Sequence, residues 1–413
     1  MNISVLTLVA VFALIAVRKI GHFNIKIWQS MTGGAVIVLA SGEISWLDAA
    51  KAIDLNVMLF LLGMFIVGQA LVASGYLYYL AYHLFNRMTS VPQLVVGILF
   101  GAAFSSALLM NDTLAIIGTP LVLRLAQEHG INNKLLLLTL AYAITIGSVM
   151  SPIGNPQNFL IASQGRLPTP FMTFVEALAI PTLINLGVTY LVLRLVYRQQ
   201  FINGMPLTHN PVNLLDEKLA KLARASLFLL IGLIALNIIL SSMHSQVHLE
   251  LSHIAIIAGL PPILFSPGRV QLLKTLDWST LLFFAAMFVL MASVWQTGVM
   301  QQLVNDLHMD LTTVPAIMLL STLLSQLISN VPLVALYLPM LANPNAESLM
   351  ALAAGSTIAG NLLILGAASN VIIIQHAEKH QATLGFFEFA RVGIPLGILN
   401  LLIYWGWFRY WYG

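Results

Sequence analysis

Ser105-Ser106-Ala107-Leu108-Leu109-Met110-Asn111-Asp112-Thr113-Leu114 sets an Asn-Asp-Thr tripeptide inside an apolar stretch, nine residues before Pro120. Leu324-Ser325-Gln326-Leu327-Ile328-Ser329-Asn330-Val331-Pro332-Leu333 repeats the device, with Asn330 nine residues before Pro339. Bilayer hydrocarbon offers no partner to an unpaired polar group, so such interruptions are tolerated only inside protein or beside a watery cavity. The same costly interruption at matching places in two halves points to one ion and solute site built by a repeated fold.

Composition agrees. The 413 residues are 59% hydrophobic and 8% charged, with a mean hydropathy of +0.90. Soluble domains carry about 25% charged residues, so the chain is expected to be an all-α polytopic membrane protein. The absence of cysteine excludes disulfides, thiolate metal sites and a cysteine nucleophile. A net charge of +3 gives no reason to expect a nucleic-acid partner. The apolar run from Ile3 to Val17 has no basic region before it, and reads as a retained helix. Walker, dinucleotide, Gly-x-Ser-x-Gly and His-Glu-x-x-His signatures are missing, as is any nucleophile–base pair or metal triad, so no enzyme is expected. Transport must then run on an ion gradient or on a partner ATPase.

A span needs about 20 apolar residues. Candidate spans are 2–18, 28–45, 55–84, 134–165, 171–197, 224–243, 251–267, 278–300, 347–377 and 388–411. Stretches of about 93–128 and 313–342 contain the asparagine motifs and are either two crossings each or re-entrant hairpins. Basic residues favour hairpins, because Lys and Arg collect on the cytoplasmic side. With the N-terminus outside, fifteen of the eighteen Lys and Arg become cytoplasmic: Arg18, Lys19, Lys26, Arg87, Arg124, Lys134, Arg194, Arg198, Lys218, Lys221, Arg224, Arg269, Lys274, Lys379 and Arg391. Lys51, Arg166 and Arg409 face out, with the acids Glu43, Asp48, Asp54, Asp306 and Asp310. Both termini are therefore expected outside.

The halves align without a gap from Asp54 to Gly75 and from Asp277 to Gly298, pairing Asp54 with Asp277, Met64-Phe65 with Met287-Phe288, and Gly75 with Gly298. In the hairpins Ser106 pairs with Ser325, Asn111 with Asn330 and Pro120 with Pro339. Five spans per half require the second copy to be inverted. The expected organisation is a first repeat over 1–197, a cytoplasmic amphipathic linker over 198–223 with Leu215, Leu219 and Leu222 on one face, and a second repeat over 224–413.

Each hairpin is followed by a second interruption. In the first half it is Gly147-Ser148-Val149-Met150-Ser151-Pro152-Ile153-Gly154-Asn155-Pro156-Gln157-Asn158, and in the second it runs from Gly355-Ser356-Thr357 through Gly360-Asn361 to Gly366-Ala367-Ala368-Ser369-Asn370. Gly154 to Asn158 and Gly366 to Asn370 share one spacing. Half-helices ending at midplane aim N–H groups at anions and free carbonyls at cations. A lone Gly-Asn in a membrane helix is usually a packing contact, which is a fair account of Ser356, Thr357 and Asn361 but a poor one of Gly-Asn-Pro-Gln-Asn. Asp112 is the acid within a hairpin, expected to couple an ion or proton or to cap the half-helix beginning at Thr113. His376, Glu378, Lys379, His380, Glu176, Glu388 and Arg391 read as interfacial.

The Asn-Asp-Thr hairpin, the Ser-Pro-Ile-Gly-Asn-Pro-Gln-Asn break and the Ser-Asn-Val-Pro hairpin resemble those of the ion transporter superfamily over nearly the whole length. That group includes arsenite permeases, one type of sodium/proton antiporter, citrate–metal carriers and divalent-anion/sodium symporters, and the likeness is nearest to citrate-transporter-like permeases of the arsenite-permease/antiporter branch. The resemblance implies sodium and carboxylate binding at the hairpin tips, here Met110, Asn111, Asp112 and Ser329, Asn330, Val331, with the breaks 154–158 and 366–370. It also implies a homodimer and an elevator-like motion. Met110, Asp112 and Val331 stand where the symporters carry hydroxyls, and an added carboxylate suits a cation, a proton or a neutral hydroxide better than a dianion.

The expected function is secondary active transport of a small anion or oxyanion across the inner membrane, coupled to Na+ or H+ with no other cofactor. Alternatives are a Na+/H+ antiporter, or a channel or membrane subunit for arsenite-like neutral hydroxides. The expected site comprises Asn111, Asp112, Thr113, Ser151, Gly154, Asn155, Gln157, Asn158, Ser329, Asn330, Ser356, Thr357, Gly366, Ser369 and Asn370. Na+ is expected at Asn111, Asp112, Gly154 and Asn158, and at Ser329, Asn330 and Asn370, with the Asp112 side carrying the coupling ion.

Overall fold

The computed structural model describes residues 2–17, 19–20, 23–24, 26–165, 167–202, 214–243, 249–299, 302, 312–341 and 344–412. Arg18, Arg166, Asp306, Asp310 and linker residues 203–213 lie outside the described residues. The fold is helical, apart from a two-residue antiparallel pairing of Lys19-Ile20 with Phe23-Asn24. Among the described residues six helices are long and apolar enough to cross a membrane: Leu55–Ala73, Val91–Leu109, Pro170–Val196, Glu217–Leu240, Trp278–Gln296 and Phe386–Tyr412. Shorter apolar helices fill in between them, so this is a multi-pass membrane protein.

Both asparagine stretches turn at their tips. Val91–Leu109 is followed by Asn111–His129, and Val314–Ile328 by Asn330–Tyr337, with a single residue between the helices in each case. Both arms of the first hairpin return to one side. The short helix Arg198–Ile202 packs on Val91–Leu109, the Asn132 N–H just beyond the other arm donates to Gln200 Oε1 at 3.2 Å, and Arg124 lies within electrostatic reach of Tyr78.

The long spans after the hairpins are interrupted as expected. Asn133–Val149 and Pro156–Gln164 flank the first break, and Ala346–Leu362 and Ala368–Lys379 flank the second. The expected span 55–84 is instead two helices, Leu55–Ala73 and Tyr76–Phe85, because Gly75 adopts φ +73 and ends the first helix. The second half does the same at its register partner, where Gly298 also has φ +73. Asp54 and Asp277 likewise share a role, each capping the helix it precedes with its carboxylate. The linker also ends earlier than 223, since Glu217–Ser242 is one continuous helix.

The helices pack in two groups. A framework joins Ile3–Val17, Ile27–Ala40, Leu55–Ala73, Glu217–Ser242, Leu251–Phe265 and Trp278–Gln296. The other group gathers the two hairpins, the two interrupted helices, Pro170–Val196 and Phe386–Trp407. Within the framework, a Cβ on Gly63 would lie 2.4 Å from the Ala255 carbonyl carbon, so the backbones of Leu55–Ala73 and Leu251–Phe265 touch directly. The two groups meet through Phe60 stacked on Phe159, with ring centroids 4.0 Å apart. At the joint before Tyr76, the Leu215 and Asp216 N–H groups both donate to the Ser74 carbonyl, at 3.0 and 3.3 Å. Leu215 N sits 3.1 Å from where a Cβ on Gly75 would be.

Contacts between distant loops sort the ends of the helices into two sets. Ser4 bonds Glu43, Gln164 bonds Asp54 and Ser252 bonds Asn56. On the other side, Lys134 pairs with Glu388, Gln69 bonds Thr275 and Asn132 bonds Gln200. Each contact joins residues that the charge pattern places on the same side.

Single cysteines at Arg87, Arg124, Gln200 and Glu388 are expected to react with an impermeant maleimide from one side, and those at Glu43 and Gln164 from the other; reaction of Arg87→Cys and Arg124→Cys from opposite sides refutes the re-entrant hairpin. Gly63→Val should destabilise the detergent-solubilised protein by about 2–3 kcal/mol through the forced separation of two backbones, read as a lowered unfolding midpoint. Gly33→Ala, whose Cβ meets nothing within 4 Å, should leave it unchanged.

Candidate functional site

The two hairpin tips share an unusual backbone. Met110 has φ 69 and ψ 140, and Ser329 has φ 68 and ψ 161. With Gln381 they are the non-glycine residues of positive φ among the described residues. Such conformations cost about 1–3 kcal/mol each and persist where the surroundings over-determine them, typically at functional sites. Here the strained turn lets Asn111 and Asn330 open new helices with their N-termini aimed inward.

The first tip is tied to the first break, since the Asn111 N–H donates to the Gly154 carbonyl at 2.9 Å. Within the break, Asn155 caps the following half-helix by accepting from the Asn158 N–H at 2.8 Å. The Asn158 amide then reaches back to the preceding half-helix, donating to the carbonyls of Ser148 (3.0 Å), Val149 (3.2 Å) and Ser151 (3.0 Å). One side chain thus bonds three carbonyls at and just beyond the end of Asn133–Val149, where intrahelical donors run out. The second break uses the same device, with the Asn370 amide donating to the Gly360 carbonyl at 2.5 Å.

Thr357, from the second half, closes the first break. Its hydroxyl accepts from Asn155 Nδ2 and Gln157 Nε2, both at 3.3 Å, and donates to Asn158 Oδ1 at 3.4 Å. Asn111, Ser151, Gly154, Asn155, Gln157, Asn158 and Thr357 therefore form one connected network. The halves also cross in packing: Ala368–Lys379 lies on Asn111–His129, and Asn330–Tyr337 on Pro156–Gln164.

Some expected site residues are turned elsewhere. Ser356 donates to the Leu352 carbonyl of its own helix at 2.7 Å. Thr113 faces the framework, its methyl 2.6 Å from where a Cβ on Gly68 would be. Asp112 lies in the first turn of its helix rather than before it, and the helix has no side-chain cap, so the capping role is not taken up. A carboxylate is favoured in that turn by the helix dipole, and Asp277 of the framework lies within electrostatic reach.

Buried oxygens without a partner define the rest of the site. Among the described residues twelve buried side-chain atoms lack a hydrogen bond, and eight of them are here: Asn111 Oδ1, Thr145 Oγ1, Ser325 Oγ, Gln326 Oε1, Asn330 Oδ1, Asn361 Oδ1, Ser369 Oγ and Asn370 Oδ1. Each such group costs about 1–3 kcal/mol when left unmade, and native proteins carry only a few per 100 residues. The distribution is uneven. Ser106 donates to the Ile144 carbonyl at 2.7 Å, whereas its repeat partner Ser325 is unpaired.

The residue pattern gave little warning of several participants. Gln326 donates to the Ala359 carbonyl at 2.8 Å, bridging the second hairpin to its break, yet has Ala107 as its register partner. Asn361 donates to Asn400 at 3.0 Å, and Asn400 to Asn185 at 2.8 Å, a buried ladder through three helices with no motif. Thr145 alone had a signal, because the register that pairs Asn158 with Asn370 also pairs Thr145-Ile146 with Thr357-Ile358.

Chemically, the region offers carbonyl-type and hydroxyl oxygens together with four half-helix N-termini. The segments 105–114, 147–158, 325–334 and 355–370 contain no Lys or Arg, so backbone dipoles are the protein's means of attracting an anion there. Unpaired oxygens of this kind suit a hard cation.

Asn158→Ala removes three amide-to-carbonyl hydrogen bonds, whereas Asn370→Ala removes one. Asn158→Ala is expected to lower the ligand-free unfolding midpoint markedly more, each lost hydrogen bond costing about 0.5–1.5 kcal/mol; equal midpoints would show that the first break is not held by this amide.

Comparison with known proteins agrees with this architecture. The sequence profile of the citrate transporter family (CitMHS) matches residues 10–349. An uncharacterised transporter of Mycobacterium bovis is 28% identical over 99% of this chain and 98% of its own length. A 46 kDa membrane protein of Mycobacterium leprae is 27% identical over the same shares, and the human P protein is 24% identical over 97% of this chain and 59% of its own length. The crystal structure of the YdaH transporter of Alcanivorax borkumensis, described as having an unusual topology, aligns with a TM-score of 0.58 at 15% identity, over 99% of this chain and 97% of that one. By the extent of the family match and by its fold, the chain belongs to the citrate transporter family of membrane transporters.

Proposed function

We propose that the chain is a secondary active transporter that moves a small anion or oxyanion, coupled to Na+ or H+. The observation that carries this reading is the gathering of unpaired buried oxygens and four half-helix N-termini in a region without Lys or Arg. An anion seated there meets backbone dipoles and neutral side-chain donors but no Lys or Arg of these segments, so a cation bound beside it supplies the missing charge. The cation is cargo, and binding the pair together couples one gradient to the other. Asn111, Asp112, Gly154 and Asn158 are assigned to the first ion position, and Ser329, Asn330 and Asn370 to the second.

The two packing groups support an elevator-type motion. The hairpins and interrupted helices move as one body against the framework, because both breaks are linked to each other through Thr357 while the framework meets them at fewer places, such as the stacked Phe60 and Phe159. A homodimer joined through the framework, in the inner membrane with both termini outside and the two repeats inverted, completes the reading.

A second reading, Na+/H+ antiport, is favoured by Asp112, a carboxylate at the first tip with no hydrogen-bond or salt-bridge partner among the described residues and with Asp277 nearby. Under either reading Asp112→Asn should abolish ion-coupled transport in proteoliposomes while leaving the unfolding midpoint near that of the parent. A sodium pulse that changes an internal pH dye without added anion identifies the antiporter. Undiminished sodium- or proton-driven flux in Asp112→Asn refutes the role of this carboxylate.

A further inference from the structure

Thr145 and Thr357 occupy corresponding positions shortly before the ends of the two helices that lead into the breaks, and both differ from three other buried threonines of this chain. Thr119, Thr139 and Thr189 each donate to the carbonyl four residues back, at 2.6, 2.7 and 2.7 Å. Thr357 instead reaches across to the other half, where Asn155 and Gln157 donate to its oxygen. Thr145, 1% exposed, has a hydroxyl with no partner.

The reason lies in the sequence of the second break. Ala367 stands where the first break has Asn155, and Ser369 where it has Gln157. The two amides whose N–H groups converge on Thr357 therefore have no counterparts around Thr145. Thr145 still faces the second break, since its methyl is 3.4 Å from where a Cβ on Gly360 would be, and that same position is 2.7 Å from Ala367 Cβ. Gly360 is also the residue whose carbonyl receives the Asn370 amide. Thr145 Oγ1, Ser369 Oγ and Asn370 Oδ1 are each buried and without a hydrogen-bond partner, and their register partners Thr357, Gln157 and Asn158 are in mutual contact at the first break.

We propose that Thr145 is a cation ligand of the second-half site, supplied by the first half, and that a monovalent cation stands there in place of the two missing amides. Positive charge converges on a threonine oxygen in both halves: from Asn155 and Gln157 at Thr357, and from the bound ion at Thr145. The site is therefore built across the repeats, and the first half enters directly into what the second half binds. This rests on the reading of the region as an ion and solute site.

The test uses the full-length purified protein and sodium chloride or lithium chloride, with choline chloride holding ionic strength constant, and reads the unfolding midpoint against ion concentration. Thr145→Val keeps the shape of the side chain and removes the hydroxyl. It should leave the ion-free midpoint unchanged while raising the half-saturating sodium concentration about ten-fold or more; Thr145→Ser should restore it. Thr357→Val should behave oppositely, lowering the ion-free midpoint because three partners lose their bond. The double variant Ala367→Asn with Ser369→Gln installs the missing amides. It should raise the ion-free midpoint and remove the part of the sodium response that belongs to the second-half position, leaving that of the first, even if Thr145→Val fails to accumulate. An unchanged half-saturating concentration in Thr145→Val, or a sodium response in the double variant as large as the parent's, overturns the proposal while leaving the ion reading intact. A parent protein whose midpoint responds to neither ion overturns the ion reading itself, and the proposal with it.

Discussion

A helix that stops inside a membrane protein leaves carbonyls that neither water nor lipid will bind, and everything distinctive in this chain follows from how those carbonyls are met. Asn158 and Asn370 meet them with side-chain amides that fold back across each break. Once capped, a break is a stable object and its two half-helix ends become usable charge. The hairpin tips complete the arrangement at the cost of two strained residues, Met110 and Ser329, held in place by what packs around them.

The two halves correspond in backbone at paired positions and differ in chemistry. Gly75 and Gly298, Met110 and Ser329, and Asp54 and Asp277 repeat their conformations or caps across the halves. The side chains that fill this shared frame have diverged. The first break is internally saturated through Asn155, Gln157, Asn158 and Thr357, while unpaired oxygens collect at the second. A shared frame with one saturated and one unsaturated break, beside the unpaired Asn111 Oδ1 of the first tip, presents two chemically different positions.

The broad architecture was legible because the bilayer makes irregular backbone conspicuous. Asn111, Asn330, Gly154–Asn158 and Gly366–Asn370 stand out against apolar neighbours for the same reason that they matter, which is that lipid would not tolerate them. What stayed hidden was contact between elements distant in sequence. Thr357 bonds the first break, Thr113 faces Gly68, and Ser356 satisfies itself within its own helix; a serine or threonine in an apolar run looks the same in all three cases. The split at Gly75 is masked by continuous hydrophobicity on both sides, although the glycine itself matches Gly298 in the alignment of the halves. Asn185 and Asn400 lie alone in long helices, and only packing brings them to Asn361.

The joint at Gly75 bears on how the protein is made. The Ser74 carbonyl is bonded by the N–H groups of Leu215 and Asp216, residues about 140 positions later that lead directly into the helix Glu217–Ser242. While the chain emerges from the ribosome, this joint cannot be completed until that later segment has been made. Its last backbone hydrogen bonds await a distant stretch of the chain. The helices before and after residues 203–213 are consequently coupled in assembly as well as in space, and a gene divided there would separate the joint from its partners.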